Sequence, residues 1–204
     1  TGTVSCNFDT VGGVCGSNGG KITGCYNTGT VSGNSNVGGV CGYGTATIEN
    51  CYNTGSVSGN IYIGGVCGYN YAEGEYSTAT IENCYNTGTV SGSGSNVGGV
   101  CGYNEGTITN CYYLASNDDG NGGKTTDQFM SGEVCYLMNN VITDGTLTWH
   151  QNIDMEGATK DPYPVLDNTH GVVYQCSVCT SAYSNTEGAK GAHDYVDVGN
   201  GFLT

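Results

Sequence analysis

VGGVCGYGTATIENCYNTGSVSG, residues 37–59, decides how the rest of the chain is read, because most of it recurs before and after itself with both cysteines in place. VGGVCG also begins at residues 11 and 97, and IGGVCG at 63, so the first cysteine of the motif falls at Cys15, Cys41, Cys67 and Cys101. The second heads CYN or CYY, at Cys25, Cys51, Cys84 and Cys111. In the third copy seven extra residues, YAEGEYS at 71–77, precede TATIENC. An insertion taken whole belongs at a corner, outside a stack of repeats.

The composition fits such a stack better than a conventional core. Glycine supplies 37 of the 204 residues and proline only 2, and the glycines recur at fixed offsets among Val, Ile, Thr and Tyr, which favour pleated backbone. The formal charge is -14 and the four basic residues are all lysines. Nucleic acid is a poor partner for that charge, since phosphate contacts need clustered Lys and Arg. Acidity instead confers solubility or attracts cations. No run of about 18 apolar residues is present, so no helix is expected to span a membrane. No signal peptide is visible, and the first residues, TGTVS, match the middle of a repeat (28–32 and 87–91), as in a mature or trimmed fragment. Twelve cysteines point to an oxidising compartment or to metal.

Repeats of about 26 residues, each with three strand-like runs between Gly and Asn, predict an all-β, right-handed β-solenoid of about four coils over residues 1–113. Coils stack about 4.8 Å apart, which places Ile22, Ile48, Ile81 and Ile108 in one inward column and Val31, Val57 and Val90 in another. A coil this thin buries little, and each glycine costs roughly 0.5 to 1 kcal/mol. A disulfide within every coil would offset this by roughly 2.5 to 3 kcal/mol for a ten-residue loop. The expected pairs are Cys15 with Cys25, Cys41 with Cys51, Cys67 with Cys84, and Cys101 with Cys111. The rival is pairing along a column of stacked cysteines, whose Cβ vectors run side by side. Within-coil pairing joins side chains that converge, and it explains why each complete repeat carries both cysteines. Eight thiols without clustered CxxC spacing do not read as zinc sites.

VGGVCGYNEGTITNCYY and the stretch at 37–59 resemble the GLUG repeat of bacterial surface and secreted proteins. The resemblance covers roughly residues 1–113. It implies a secreted or cell-wall-displayed solenoid, often part of an adhesin or of a larger protease, and no catalytic residues. Many such repeats carry an aliphatic residue where this chain has Cys15, Cys41, Cys67 and Cys101. In GLUG-bearing proteins a helix, then Trp-x-Gln, then Tyr-Pro-Val-Leu commonly follows the repeats. Here TDQFMSGEVCYLMNN, Trp149 with Gln151, and YPVL at 163–166 match that order, so residues 114–174 are expected to form a small α+β cap with one helix covering the last coil. Residues 175–204 form a short CxxC-containing tail. The opposite end begins on an uncapped coil, a strand edge open to head-to-tail self-association.

Candidate chemistry is sparse. Cys176 and Cys179 form the CxxC and, with His193, are three potential zinc ligands, with His170 or Asp194 as a fourth. The competing expectation is disulfides involving Cys6, Cys135, Cys176 and Cys179, within the chain or between subunits. Cys135 beside His150 or His170 would be a nucleophile and base, but its apolar neighbours point to a buried thiol. NDDGNGG at 117–123 faintly resembles a calcium loop without its ligand spacing. No cofactor and no catalytic group is expected. If the cysteines of CYN point inward, Tyr26, Tyr52, Tyr85 and Tyr112 form an outward row able to stack on sugars, and Asn27, Asn53 and Asn86 turn inward again as a hydrogen-bonding ladder. The expected function is a non-enzymatic structural protein of a bacterial surface: stalk, adhesin segment or fibre subunit. Alternatives are a module binding glycan or host protein through the Tyr row or the 71–77 loop, and an accessory domain of a larger secreted enzyme.

Overall fold

The computed structural model describes residues 2–74, 79–116, 120–140, 148–155, 157–176 and 182–187. The chain divides into two units, Thr1–Thr125 and Thr126–Thr204.

In the first unit each coil contributes one short strand to each of five parallel sheets. One sheet stacks Thr3–Ser5, Thr30–Ser32, Val57–Gly59 and Val90–Gly92. The next stacks Val11–Gly12, Ser35–Gly38, Ile61–Gly64 and Val97–Gly98. The third holds Cys15–Asn18, Cys41–Gly44, Cys67–Asn70 and Cys101–Asn104, and the fourth Ile22–Thr23, Thr47–Glu49, Thr80–Glu82 and Thr107–Thr109. The fifth runs through Tyr26–Asn27, Tyr52–Asn53, Tyr85–Asn86 and Tyr112–Leu114, and adds Gly123–Lys124 as a fifth strand. The stack therefore extends past residue 113, where the repeats end.

Residues pair with their counterparts one repeat away. Ile22 meets Ile48, Ile48 meets Ile81, and Ile81 meets Ile108. The fold is a parallel β-solenoid. Its three expected runs per coil are divided further because the backbone turns inside two of them. VGGVC bends at Gly-Gly, and TATIENCY bends at the Asn before cysteine. Asn50, Asn83 and Asn110 there have φ of 50°, 53° and 49°, and Gly24 holds the corresponding place in the first coil at 62°. Glycine and asparagine are the residues that enter this left-handed region most readily.

Two columns enter the core as expected, except that Ile108 is exposed and Val90 only partly buried. Ile48, Ile81, Val40 and Val66 are buried among the thiols, and Val31, Val37, Val57 and Ile63 form a second cluster with Val11. Deleting one methyl group, as in Ile48→Val, is expected to cost about 1 kcal/mol, measured as a small fall in the thermal unfolding midpoint.

In the second unit the expected single helix is two: α1, Thr126–Met130, and α2, Glu133–Asn140. They part at Gly132, whose φ of 89° no continuous helix accommodates. Phe129, Val134, Cys135 and Met138 are buried. The Asn139 side chain clasps the buried Trp149, donating to its carbonyl at 2.7 Å and accepting from its N–H at 3.0 Å. Gln151, also buried, donates to the carbonyls of Phe129 and Asp161. His150 and Val165 exchange backbone hydrogen bonds at 2.9 and 2.8 Å, so the Trp-x-Gln and Tyr-Pro-Val-Leu segments lie side by side.

Candidate functional site

The cysteines of the coils form two columns within one core. Cys41, Cys51, Cys67 and Cys84 are buried, and Cys15, Cys25, Cys101 and Cys111 pack against the same cluster. In the first column Cys15, Cys41, Cys67 and Cys101 are register partners. In the second, the N–H of each following tyrosine donates to the cysteine carbonyl one coil earlier, as Tyr52 does to Cys25 and Tyr85 to Cys51. The thiols also have backbone acceptors. Cys15, Cys41 and Cys101 donate forward to Ser17, Tyr43 and Tyr103 at 3.0 to 3.3 Å. Cys25, Cys51, Cys84 and Cys111 donate backward to Thr23, Glu49, Glu82 and Thr109 at 3.1 to 3.3 Å.

Titration follows the columns. Hydrogen bonding with Cys101 and Cys41, then burial, pushes the Cys67 thiol well up. Burial, then Cys111 and Cys51, does the same to Cys84. Cys41 is held low mainly by its hydrogen bond with Cys67, and Cys51 by that with Cys84. The sulfur neighbours are thus one coil up or down. The eight cysteines of the coils carry free thiols, so the expected within-coil disulfides are not present among them.

The asparagine ladder appears as the alternation of CYN requires. Asn27 Nδ2 donates to Asn53 Oδ1, and Asn53 Nδ2 to Asn86 Oδ1, both at 2.7 Å. Each also braces its own turn: Asn53 Nδ2 donates to the Gly55 carbonyl at 2.7 Å, while its Oδ1 accepts from the Gly55 N–H at 3.2 Å. Sequence reading missed a second ladder, in which Asn110 Nδ2 donates to Asn83 Oδ1 at 2.7 Å and Asn83 Nδ2 to Asn50 Oδ1 at 2.5 Å. The recurrence of Asn before cysteine was its signal.

The tyrosine row differs from its expected form. Tyr26 and Tyr52 stack at 4.9 Å and 5°, and Tyr52 and Tyr85 at 5.1 Å and 3°. The ring faces are taken up by one another. Tyr85 is only 1% exposed while Tyr26 is 56% exposed, and Tyr112 donates its hydroxyl to Asn110. An open row of four faces is therefore not what the coil builds.

The remaining candidates lie apart. Cys6 is exposed, Cys135 and Cys176 are buried, and burial, then Asp161, raises the Cys135 thiol far above its ordinary value. His170 Nδ1 lies 2.6 Å from Asp161 Oδ2, and that carboxylate also accepts from the Asn152 N–H. Cys179, His193 and Asp194 fall outside the described residues, as do residues 117–119 of the acidic loop. Among the described residues no group of three metal-ligating side chains converges.

Comparison with known families matches the GLUG motif three times in succession, at residues 33–58, 59–91 and 93–113. The chain carries GLUG repeats. The matched GLUG segments include the second, third and fourth members of each column, and residues 1–32 add a coil in the same register. No curated protein and no solved structure matches the chain.

Proposed function

We propose that this is a non-enzymatic structural protein of a bacterial surface, a stalk or fibre segment secreted from the cell. The observation supporting this is the continuity of the Ile, Val, Cys, Asn and Tyr columns through successive coils, which extends a rod. In a repeat stack stability accrues through each coil's contact with the next. A further coil stacked in register on Thr3–Ser5, from this protein or from a second copy, would lengthen the rod.

Outside the cell the thiol columns would oxidise. Register partners in adjacent coils sit about 4.8 Å apart, inside the roughly 4.4 to 6.8 Å that a disulfide spans. Pairing along the columns, Cys15–Cys41, Cys67–Cys101, Cys25–Cys51 and Cys84–Cys111, uses all eight thiols. It would cross-link successive coils, which suits a load-bearing rod better than closing each coil on itself.

Electron microscopy of the oxidised protein is expected to show rods or fibres that shorten or disperse with reductant; compact particles in both states would refute the proposal. Peptide mapping without reductant is expected to recover the column pairs. Recovery of Cys41 linked to Cys51 would return the cross-link to the coil, and free thiols in the secreted protein would remove it.

A further inference from the structure

A second set of tyrosines occupies the outer side of the third sheet. Tyr43, Tyr69 and Tyr103 are register partners in successive coils. Tyr69 meets Tyr43 edge to face at 5.4 Å and Tyr103 at 5.1 Å and 68°. Two further rings flank it, Tyr62 at 5.4 Å and Tyr71 at 5.6 Å. The five make a cross centred on Tyr69, with Tyr103 exposed and the other four half-buried.

The arms of the cross are departures from the repeat. Tyr62 stands in register with Asn36 and Asn96 and shares their left-handed backbone, φ 59° against 48° and 62°. Asparagine adopts that conformation readily, whereas a bulky side chain there is strained. Tyr71 opens the seven-residue insertion, its N–H bonding to the Gly44 carbonyl at the level where the second coil has Thr45 and the fourth Glu105. The other coils fold without either ring. In the third coil Tyr62, on strained backbone, and Tyr71, at the head of the insertion, thus converge on one surface, and stacking requires neither.

The charge around the cross is negative. Glu73, in the insertion, and Glu105 are both exposed and both lie within electrostatic reach of Tyr43. Burial first, then Glu105, pushes the Tyr69 hydroxyl far above its ordinary range. The chain carries -14 overall. Aromatic faces and carboxylates both favour a cation. A planar guanidinium can lie on an open ring and fork to a carboxylate at once, which an ammonium cannot.

We propose that the Tyr43, Tyr62, Tyr69, Tyr71 and Tyr103 surface, with Glu73 and Glu105, binds an arginine-bearing segment of a partner protein. The probes are an oligo-arginine peptide and an oligo-lysine peptide of equal length, titrated calorimetrically into the full chain at physiological ionic strength. The arginine peptide is expected to bind more tightly than the lysine peptide. The double variant Tyr62→Asn, Tyr71→Thr, which installs residues that neighbouring coils carry at those levels, should weaken arginine binding roughly tenfold. Its unfolding midpoint should stay the same or rise as the strain at residue 62 is relieved. Glu105→Gln should narrow the preference for arginine over lysine. Equal affinity for the two peptides, or arginine binding untouched by the double variant, would reduce the attraction to net charge and overturn the proposal. Binding of a neutral cello- or chito-oligosaccharide lost in the double variant, without an arginine preference, would replace the partner with a glycan and equally overturn it. A lowered midpoint with unchanged binding would make the cross a packing device alone.

Discussion

Gly64→Ala is expected to prevent the third coil from closing. A Cβ at this position would lie 1.9 Å from the carbonyl oxygen of Cys67, three residues ahead, and 2.7 Å from the backbone nitrogen of Gly102 in the next coil. Neither atom belongs to a side chain that could swing aside. Relief requires the turn to open, which moves Val66 and Cys67, whose N–H groups both bond to the Val100 carbonyl at 2.8 and 3.0 Å. The same approach is made at Gly38, where a Cβ would meet the Cys41 carbonyl oxygen at 1.9 Å, so the turn is a property of the repeat. A cost above about 4 kcal/mol belongs to this kind of change. For a chain of this length that is a fall of roughly 10 °C or more in the unfolding midpoint, or failure to accumulate in soluble form. Gly19→Ala is the control, since nothing lies within 4 Å of the added atom, and its midpoint is expected to move by no more than about 2 °C. Similar midpoints for the two variants would mean that the Gly-Gly turn does not set the coil spacing.

The same turn shows what a repeat discloses and what it conceals. Columns were legible because a parallel stack places every residue on its counterpart, so recurrence in sequence becomes contact in space; Ile22, Ile48 and Ile81 needed no further information. The inward turn of Asn27, Asn53 and Asn86 followed from the alternation of a strand. The direction of sulfur contact did not follow, because recurrence is equally compatible with pairs across a coil and pairs along a column. Here the chain places Cys67 between Cys41 and Cys101. Tyr26, Tyr52, Tyr85 and Tyr112 were expected as an outward row, yet only Tyr26 is exposed, Tyr52 and Tyr112 being half-buried and Tyr85 buried. At a spacing of about 4.8 Å flat rings in register satisfy one another before they meet solvent.

The cross centred on Tyr69 was illegible for the opposite reason. Two of its rings occupy places where the repeat is broken, Tyr62 for asparagine and Tyr71 at the head of an insertion, and attention to what recurs passes over both. Similarly, one helix was expected over residues 126–140 because Phe129, Met130, Val134, Leu137 and Met138 approximate a stripe. The stripe survives in the burial of Phe129, Val134 and Met138, but Gly132 interrupts the backbone that carries it. Periodicity located the apolar face and was silent on the left-handed residue within it.

Asn53→Ala is the second large effect, expected to cost roughly 3 to 5 kcal/mol. The Asn53 side chain is fully buried and takes part in four hydrogen bonds: with Asn27 and Asn86 along the ladder, and with the N–H and carbonyl of Gly55. Alanine removes all four at once. The ladder neighbours keep part of their bonding, since Asn27 still donates to the Gly29 carbonyl and Asn86 still accepts from the Gly88 N–H. The Gly55 groups lose the partner that braced their turn, and a buried polar group without a partner costs about 1 to 3 kcal/mol. The space left behind cannot collapse easily, because Gly39 is bare so that Asn53 can approach: a Cβ there would lie 2.3 Å from Asn53 Cγ. Asn104→Ala tests whether burial or chemistry sets the cost. Asn104 donates to the Gly106 carbonyl and accepts from the buried Asn70, yet is itself exposed, so water can replace its own bonds and the loss should stay at about 1 to 2 kcal/mol, the part left by Asn70. Chemical denaturation of both variants gives the comparison. If Asn104→Ala proved as destabilising as Asn53→Ala, these stacked asparagines would be acting through geometry in both sheets instead of through desolvation at the buried one.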